Sequence, residues 1–145
     1  MKSRKTVLGL QIAAIMILTL LAANAFAQNA VMTIKTYNYT SSTATPSSVQ
    51  YLGTLSSLPA DITANNSSPY ITETSFGNVT SFHDNYTSGS KKCHFDAASY
   101  TSGGNCVYTK AATSTGGTPA TCTANITAQS SSPNPCSFSI SFGIQ

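Results

Sequence analysis

The sequence predicts an all-β protein, a small antiparallel β-sandwich, with an antiparallel barrel as the second choice. Three observations predict it. Four cysteines sit in short runs of alternating apolar and polar residues, β-branched and aromatic residues recur along the chain, and turn-forming residues separate the runs. Beyond the N-terminal apolar run, no stretch shows the 3.6-residue period of a helix. We therefore expect strands throughout the folded part of the chain.

The N-terminus predicts a secretory signal peptide over residues 1–27. A basic start precedes an apolar run over residues 7–23, and Ala25 and Ala27 form an A-x-A-like exit. We expect cleavage after Ala27 and export to the periplasm or the extracellular space, which leaves residues 28–145 as one β domain. The alternative is an uncleaved membrane anchor, but polar residues such as Gln11 interrupt the run.

Charge excludes some partners. The formal charge of +3 comes from the signal segment, because the four lysines beyond it are balanced by four carboxylates. These are Lys35, Lys91, Lys92, Lys110, Asp61, Glu73, Asp84 and Asp96. Without a basic stripe, nucleic acid and anionic lipid find little electrostatic attraction, so we expect no nucleic-acid partner. The Ser/Thr-rich, weakly charged surface leaves self-association open.

The N-terminal half predicts several strands separated by loops. Strands are expected at residues 31–40, 49–52, 55–58, 70–75 and 79–87, and a loop at residues 41–48 around Pro46. In residues 79–87 the alternation is imperfect, because Asp84 shares a face with Phe82 and Tyr86. We therefore expect an edge or irregular strand there.

The C-terminal block alternates more regularly, and every cysteine is in phase with the apolar residues. One face carries Cys93, Phe95, Ala97, Cys106, Tyr108, Cys122, Ala124, Ile126, Ala128, Cys136, Phe138, Ile140, Phe142 and Ile144. Turns are expected near residues 102–104, 116–119 and 130–135, giving an antiparallel meander or part of a Greek key. The disulfides should therefore face the core and join strands or sheets.

Four cysteines in a small exported chain indicate two disulfides, for which three pairings are possible. A hairpin centred near Tyr100 would place Cys93 almost opposite Cys106. This favours bridges from Cys93 to Cys106 and from Cys122 to Cys136. Each bridge would contribute roughly 2 to 4 kcal/mol by restricting the unfolded chain.

Metal-ligating residue types occur in two short pairs, His83 with Asp84 and His94 with Asp96. Two imidazoles and two carboxylates suit zinc or copper. Exposed polar residues on strand surfaces show the same pattern, and no C-x-x-C pair is present. We therefore expect no metal site and no cofactor.

Catalytic motifs are missing from the sequence, so we expect a protein that is not an enzyme. There is no G-x-S-x-G, and the S-x-x-K of Ser88 to Lys91 lacks its S-D-N and K-T-G companions. The spacing of the carboxylates does not indicate a glycosidase. Six N-x-S/T triplets begin at Asn38, Asn65, Asn66, Asn78, Asn85 and Asn125. The bacterial style of the signal favours their remaining unglycosylated.

Tyrosines offer a binding surface, because a ring with a polar tip suits both sugars and lipids. The predicted contact residues are Tyr37, Tyr39, Tyr70, Tyr86, His94 and Asp96. Core and cross-strand packing is the competing explanation for most of the tyrosines. The absence of tryptophan weakens a carbohydrate ligand in particular.

The first functional hypothesis is therefore a secreted binding protein that contacts a cell surface, a glycan, a lipid or another protein through loops and tyrosines. The alternative is a structural subunit of a pilus or coat, in which residues 31–40 or 137–144 add a strand to a neighbour's sheet. A small hydrolase is the third.

Overall fold

The computed structural model describes residues 28–131 and 135–145, so the predicted signal peptide lies outside the described residues. Within those two ranges the chain forms strands, and no helix is long and apolar enough to cross a bilayer. The strands are β1 (Val31–Asn38), β2 (Ala44–Tyr51), β3 (Thr54–Leu55), β4 (Asn66–Ser67), β5 (Ile71–Thr74), β6 (Thr80–Ser88), β7 (Lys91–Ser102), β8 (Asn105–Ser114), β9 (Cys122–Gln129) and β10 (Phe138–Ile144). The all-β prediction is confirmed.

The strands form two open sheets that pack face to face. Sheet A has the order β3-β5-β1-β10-β9, with β4 also paired to β1, and sheet B has the order β2-β6-β7-β8. All pairings are antiparallel except that of β1 with β10. The arrangement is sandwich-like and not a closed barrel, which confirms the first choice of fold.

Strands β1 and β10 lie inside sheet A. The two strands pair with each other over seven residue pairs, from Met32 with Phe138 to Asn38 with Ile144. Strand β1 also pairs with β4 and β5, and β10 also pairs with β9. Neither strand is therefore an open edge. In this fold neither is free to add to a neighbour's sheet, although strand addition by one of them was expected for a pilus or coat subunit.

The core lies between the sheets and is organised by a group of aromatic rings. Phe142 of sheet A stacks on Phe95 of sheet B, with ring centroids 4.7 Å apart, and its centroid lies 6.4 Å from that of Phe82. Alternate residues of β1, including Met32 and Ile34, close the same core. The strict alternation of burial in β1 and β6 follows from the two-residue period of a strand.

The loop predicted at residues 41–48 is wrong in part, because strand β2 begins at Ala44 and includes Pro46. β2 is an edge strand of sheet B, and an edge position tolerates a residue that cannot donate a ladder hydrogen bond. The register shifts between Ser47 and Gln50, and Ser48 has a φ of 57°. This bulge bends the edge. β3 is also shorter than the predicted strand at residues 55–58.

Strand β6 is regular and central, so the prediction of an edge or irregular strand is wrong. Its alternation looked imperfect because Thr80 and Asp84 are buried polar residues on the core face. The Thr80 hydroxyl is hydrogen-bonded to the Ser99 hydroxyl at 2.9 Å, which compensates its burial. The two-residue period therefore places both residues correctly on the face of Phe82 and Tyr86, and only their polarity suggested an irregular strand.

The disulfides join Cys93 to Cys122 and Cys106 to Cys136, so the favoured pairing is wrong. The β7–β8 hairpin turns after Ser102 and not near Tyr100, which places Cys106 opposite Thr101. Cys93 and Cys106 lie in sheet B, whereas Cys122 and Cys136 belong to the sheet A side. Both bridges therefore fasten one sheet to the other, on the core side as the alternation indicated.

The alternation fails at the end of β9. The register with β10 shifts between Ser139 and Ile140, so that Ile126 is paired with Ile140 but Ala128 is paired with Ser139. A bulge moves the residues beyond it to the other face of the sheet. Ala128, which the sequence placed on the apolar face, is therefore exposed.

Candidate functional site

The residues predicted to contact a ligand separate into three places. Tyr37, Tyr39 and Tyr70 lie on the outer surface of sheet A. His94 and Asp96 lie on the outer face of β7 in sheet B, on the opposite side of the sandwich. Tyr86 is inside the core. The fold therefore brings together two separate surface clusters.

The first cluster, here called the tyrosine platform, consists of Lys35, Tyr37, Tyr39 and Tyr70. The rings of Tyr37 and Tyr39 are nearly parallel, with an interplanar angle of 3° and centroids 5.8 Å apart. The Lys35 ammonium lies 4.6 Å from the Tyr70 centroid and 5.5 Å from the Tyr37 centroid. These separations are in the range for offset stacking and for cation–π attraction.

Local sequence explains why the tyrosine platform forms. Lys35 and Tyr37 are alternate residues of β1 and therefore point outward together, and Tyr39 follows just after the strand ends. Gly143 lies opposite Tyr37 on β10, and a Cβ there would approach the Tyr39 ring to 3.2 Å. The same Cβ would lie 2.6 Å from Thr123 Oγ1. Glycine at this position therefore makes room for the Tyr39 ring.

The tyrosine platform carries one positive charge, that of Lys35, and its surroundings are polar. Tyr39 and Tyr70 are 55% and 65% exposed. The neighbouring outward positions of sheet A are Thr33, Thr123, Asn125, Ser139 and Ser141. Among the described residues, the ion pairs within 4.0 Å all involve Asp96, so the Lys35 ammonium is without a carboxylate. The surface therefore offers rings, hydroxyls, an amide and a cation.

Tyr86 has no part in this surface. It is 1% exposed, its ring contacts Phe95 at a centroid distance of 6.5 Å, and its hydroxyl donates to the Ala60 carbonyl at 3.2 Å. Burial, together with the charge of Asp84, raises the pKa of the Tyr86 hydroxyl well above its usual value. The side chain contributes packing to the core.

The second cluster, here called the histidine cluster, consists of His83, His94 and Asp96. His83 lies directly opposite Asp96 in the β6–β7 register, and Nδ1 of His83 pairs with Oδ1 of Asp96. Nε2 of His94 lies 3.0 Å from the other carboxylate oxygen, Oδ2. The two imidazoles are nearly parallel, 17° apart, with centroids separated by 6.3 Å. The three side chains are between 31% and 41% exposed.

Each imidazole of the histidine cluster also has a polar neighbour on its far side. Nδ1 of His94 lies 3.1 Å from Oδ1 of Asn85, and Nε2 of His83 lies 3.3 Å from Oγ of Ser81. Asn85 and Ser81 are outward residues of β6, two positions either side of His83. These contacts fix the orientation of both rings.

The sequence predicted two pairs of possible ligands, His94 with Asp96 and His83 with Asp84. The structure separates that second pair, because Asp84 points into the core while His83 points outward. The register between β6 and β7 sets His83 opposite Asp96, and this register does not follow from residue spacing. The tight turn at Gly89, with a φ of 60°, fixes that register.

Two carboxylates are buried in the core, and neither is part of a surface cluster. Burial raises the pKa of Glu73 to about 7, although the amides of Ser81 and Leu52 donate to Oε1 and lower it in part. Burial also raises the pKa of Asp84 to about 7, opposed by the backbone N–H groups of Asn85 and Ser47. Neither Asp84 oxygen makes a hydrogen bond of normal geometry.

The serine of the S-x-x-K pattern is engaged in the structure. Ser88 is 4% exposed, and its hydroxyl donates to the Ser42 carbonyl at 3.0 Å and contacts the Thr40 hydroxyl. A nucleophilic serine needs a base held against it. The hydroxyl contacts a carbonyl and another hydroxyl, neither of which is a base.

Comparison of the chain with models of known protein families and with curated protein sequences finds no match. The two bonded disulfides are consistent with an oxidising extracellular or periplasmic compartment. The tyrosine platform and the histidine cluster are therefore the two surface features from which we infer function.

Proposed function

We propose that the protein is a glycan-binding protein that takes its ligand on the tyrosine platform. The observation that carries the proposal is the pair of parallel Tyr37 and Tyr39 rings on an open sheet face, flanked by Lys35 and Tyr70. A tyrosine ring presents apolar area for a sugar's C–H face, and its hydroxyl supplies a hydrogen bond. Sugar hydroxyls find further partners in the surrounding threonine, serine and asparagine side chains.

The charge of the tyrosine platform favours an acidic sugar. The Lys35 ammonium rests between two rings and lacks a carboxylate partner in the described part of the chain. A carboxylated or sulfated sugar would supply that partner. A lipid surface fits less well, because this face presents hydroxyl and amide groups around the rings instead of a continuous apolar area.

The proposal includes export. We infer that residues 1–27 direct the chain out of the cytoplasm and are removed after Ala27, because the basic start, apolar run and A-x-A-like exit are those of a secretory signal. Intact mass spectrometry of the exported protein should give the mass of residues 28–145 with two disulfides. A mass that retains residues 1–27 would contradict cleavage.

A glycan array followed by calorimetry tests the ligand class. Tyr39→Ala and Tyr70→Ala should each weaken binding about 10-fold, the loss expected for one aromatic contact. Tyr100→Ala is the matched control, because Tyr100 is also exposed, at 41%, but belongs to β7 of sheet B. Equal loss in all three variants, or no glycan bound on the array, would reject the proposal.

The preference for acidic sugars has its own test. Lys35→Gln should reduce affinity for acidic glycans and leave that for neutral glycans little changed, whereas Lys110→Gln on β8 should change neither. Binding to anionic liposomes that Lys35→Gln abolishes, without a glycan hit, would assign the platform to lipid headgroups and contradict a glycan ligand.

Assembly by strand addition is a second proposal, and β9 is the strand that favours it. This outer strand of sheet A contains neither a charged residue nor proline, whereas the edges β2 and β8 contain Pro46 and Lys110. Such an edge is open to pairing with another chain. Size-exclusion chromatography should show concentration-dependent association that Thr127→Lys suppresses. A monomer at all concentrations would reject the proposal.

A further inference from the structure

We propose that the histidine cluster is a binding site for a divalent transition-metal ion, with His83, His94 and Asp96 as its three protein ligands. The candidate ligand atoms of the three side chains all lie within 4.8 Å of one another. The site is on the opposite sheet from the tyrosine platform and does not depend on glycan binding.

The fold places these donors on a rigid frame. They come from two adjacent strands, β6 and β7, which are hydrogen-bonded in register over nine residue pairs. His83 and Asp96 face each other across the strands, and His94 is two residues before Asp96 on the same face. Sites built on paired strands hold their ligands more firmly than sites on loops.

The polar contacts of His94 leave a place for a cation. If Asn85 Oδ1 accepts a hydrogen bond from Nδ1 of His94, then Nε2 of the neutral ring carries a lone pair. That nitrogen lies 3.0 Å from Oδ2 of Asp96, which is also an acceptor. Two acceptors at this distance need a proton or a metal ion between them. The imidazole held by Asn85 is oriented as metal-bound histidines are oriented by their outer partners.

The spacing of the donors suits a small ion. Ligands about 2.1 Å from a tetrahedral ion lie roughly 3.4 Å from one another. The donors are already gathered within 4.8 Å, and their side chains are partly exposed, so small rotations of the rings suffice. Asp96 pairs with imidazoles alone among the described residues, and no lysine occupies its carboxylate.

The donor set selects the kind of metal. Two imidazoles and one carboxylate suit Zn²⁺ and Cu²⁺, whereas Mg²⁺ and Ca²⁺ prefer oxygen ligands. Three protein ligands on an exposed sheet face leave at least one position for water or a ligand from solution. The cysteines do not compete for the ion, because all four are in disulfides.

Calorimetric titration of the tag-free, oxidised protein with Zn²⁺, Cu²⁺ and Mg²⁺ tests the proposal. We expect one Zn²⁺ or Cu²⁺ per chain with a Kd of about 10 µM or tighter, and no binding of Mg²⁺. In electron paramagnetic resonance, bound Cu²⁺ should show hyperfine coupling to two imidazole nitrogens. Failure to bind either ion at about 100 µM would overturn the site.

Variants assign the ligands. His83→Gln and His94→Gln should each weaken Cu²⁺ binding by about 10-fold or more, and Asn85→Ala, which removes the partner of a ligand, should weaken it by about 10-fold. Tyr100→Ala is the control on the same face of sheet B, and binding should be unchanged. Circular dichroism confirms that each variant is folded. Binding that survives in a folded His83→Gln, His94→Gln double variant would show that the ion is held elsewhere.

Discussion

The buried carboxylate of Glu73 should make the protein less stable as the pH rises from about 4.5 to about 7. Glu73 is fully buried on the core side of β5. Its Oε1 accepts from the amides of Leu52 and Ser81, but Oε2 has no partner. Burial without full compensation disfavours the charged form, so the folded state holds the proton more tightly than the unfolded chain does.

The magnitude follows from the shift in pKa. The folded-state pKa is about 7 and the ordinary value is 4.5. Below a pH of about 4.5 both states are protonated, and the ionisation of Glu73 does not change the free energy of unfolding. Between the two values the unfolded chain has lost the proton and the folded chain has not, so stability falls with pH. Above about 7 the full cost is reached, about 3 kcal/mol at 1.36 kcal/mol per pKa unit.

Urea unfolding across this pH range, with Glu73→Gln beside the wild type, measures the effect. Glutamine keeps the acceptor oxygen and cannot ionise, so the variant should gain stability relative to the wild type as the pH rises. Asp61→Asn is the matched control, because Asp61 is exposed and its neutralisation should leave the profile unchanged. A difference between wild type and Glu73→Gln that stays constant from pH 4 to pH 8 would refute the reasoning.

Three further predictions concern packing and covalent restraint, each measured by denaturant unfolding. Replacing Cys106 and Cys136 together by alanine should lower the free energy of unfolding by roughly 3 to 4 kcal/mol, because the bridge closes a loop with a sequence separation of 30. An unchanged denaturation midpoint would contradict this. Phe142→Ala should cost about 3 to 5 kcal/mol, since its ring stacks at the centre of the core. Gly53→Ala should cost roughly 1 to 3 kcal/mol, because φ is 101° and a Cβ would lie 2.3 Å from the Thr74 carbonyl oxygen, and full stability would show that the turn relaxes.

Local patterns predicted the fold class and the strands that have a clean two-residue period. The alternation in β7 and β10 placed Phe95 and Phe142 on the inner face, where they stack. A buried polar residue, Asp84, made a regular strand look irregular, and a bulge reversed the face predicted for Ala128. In both cases the side chain's own polarity did not indicate its environment.

The candidate sites were predictable only in part. Tyr37 and Tyr39 are two residues apart, so their common face follows from strand geometry, and His94 and Asp96 share a face for the same reason. The contact of Tyr70 with Lys35 depends on the segment leading into β5, and the meeting of His83 with Asp96 depends on the register of two strands. Neither of these contacts is encoded in residue spacing.

By itself the sequence determined that the fold is all-β, that the cysteines lie on the core side and which residues face inward in most strands. It could do so because the two-residue period of a strand is a local property of the chain. Only the tertiary structure decided which strands are neighbours. It placed β1 beside β10, so that both are internal, and it paired Cys93 with Cys122 across the two sheets. It also brought His83 to Asp96. These outcomes depend on strand order and register, which are set by packing between residues far apart in the chain.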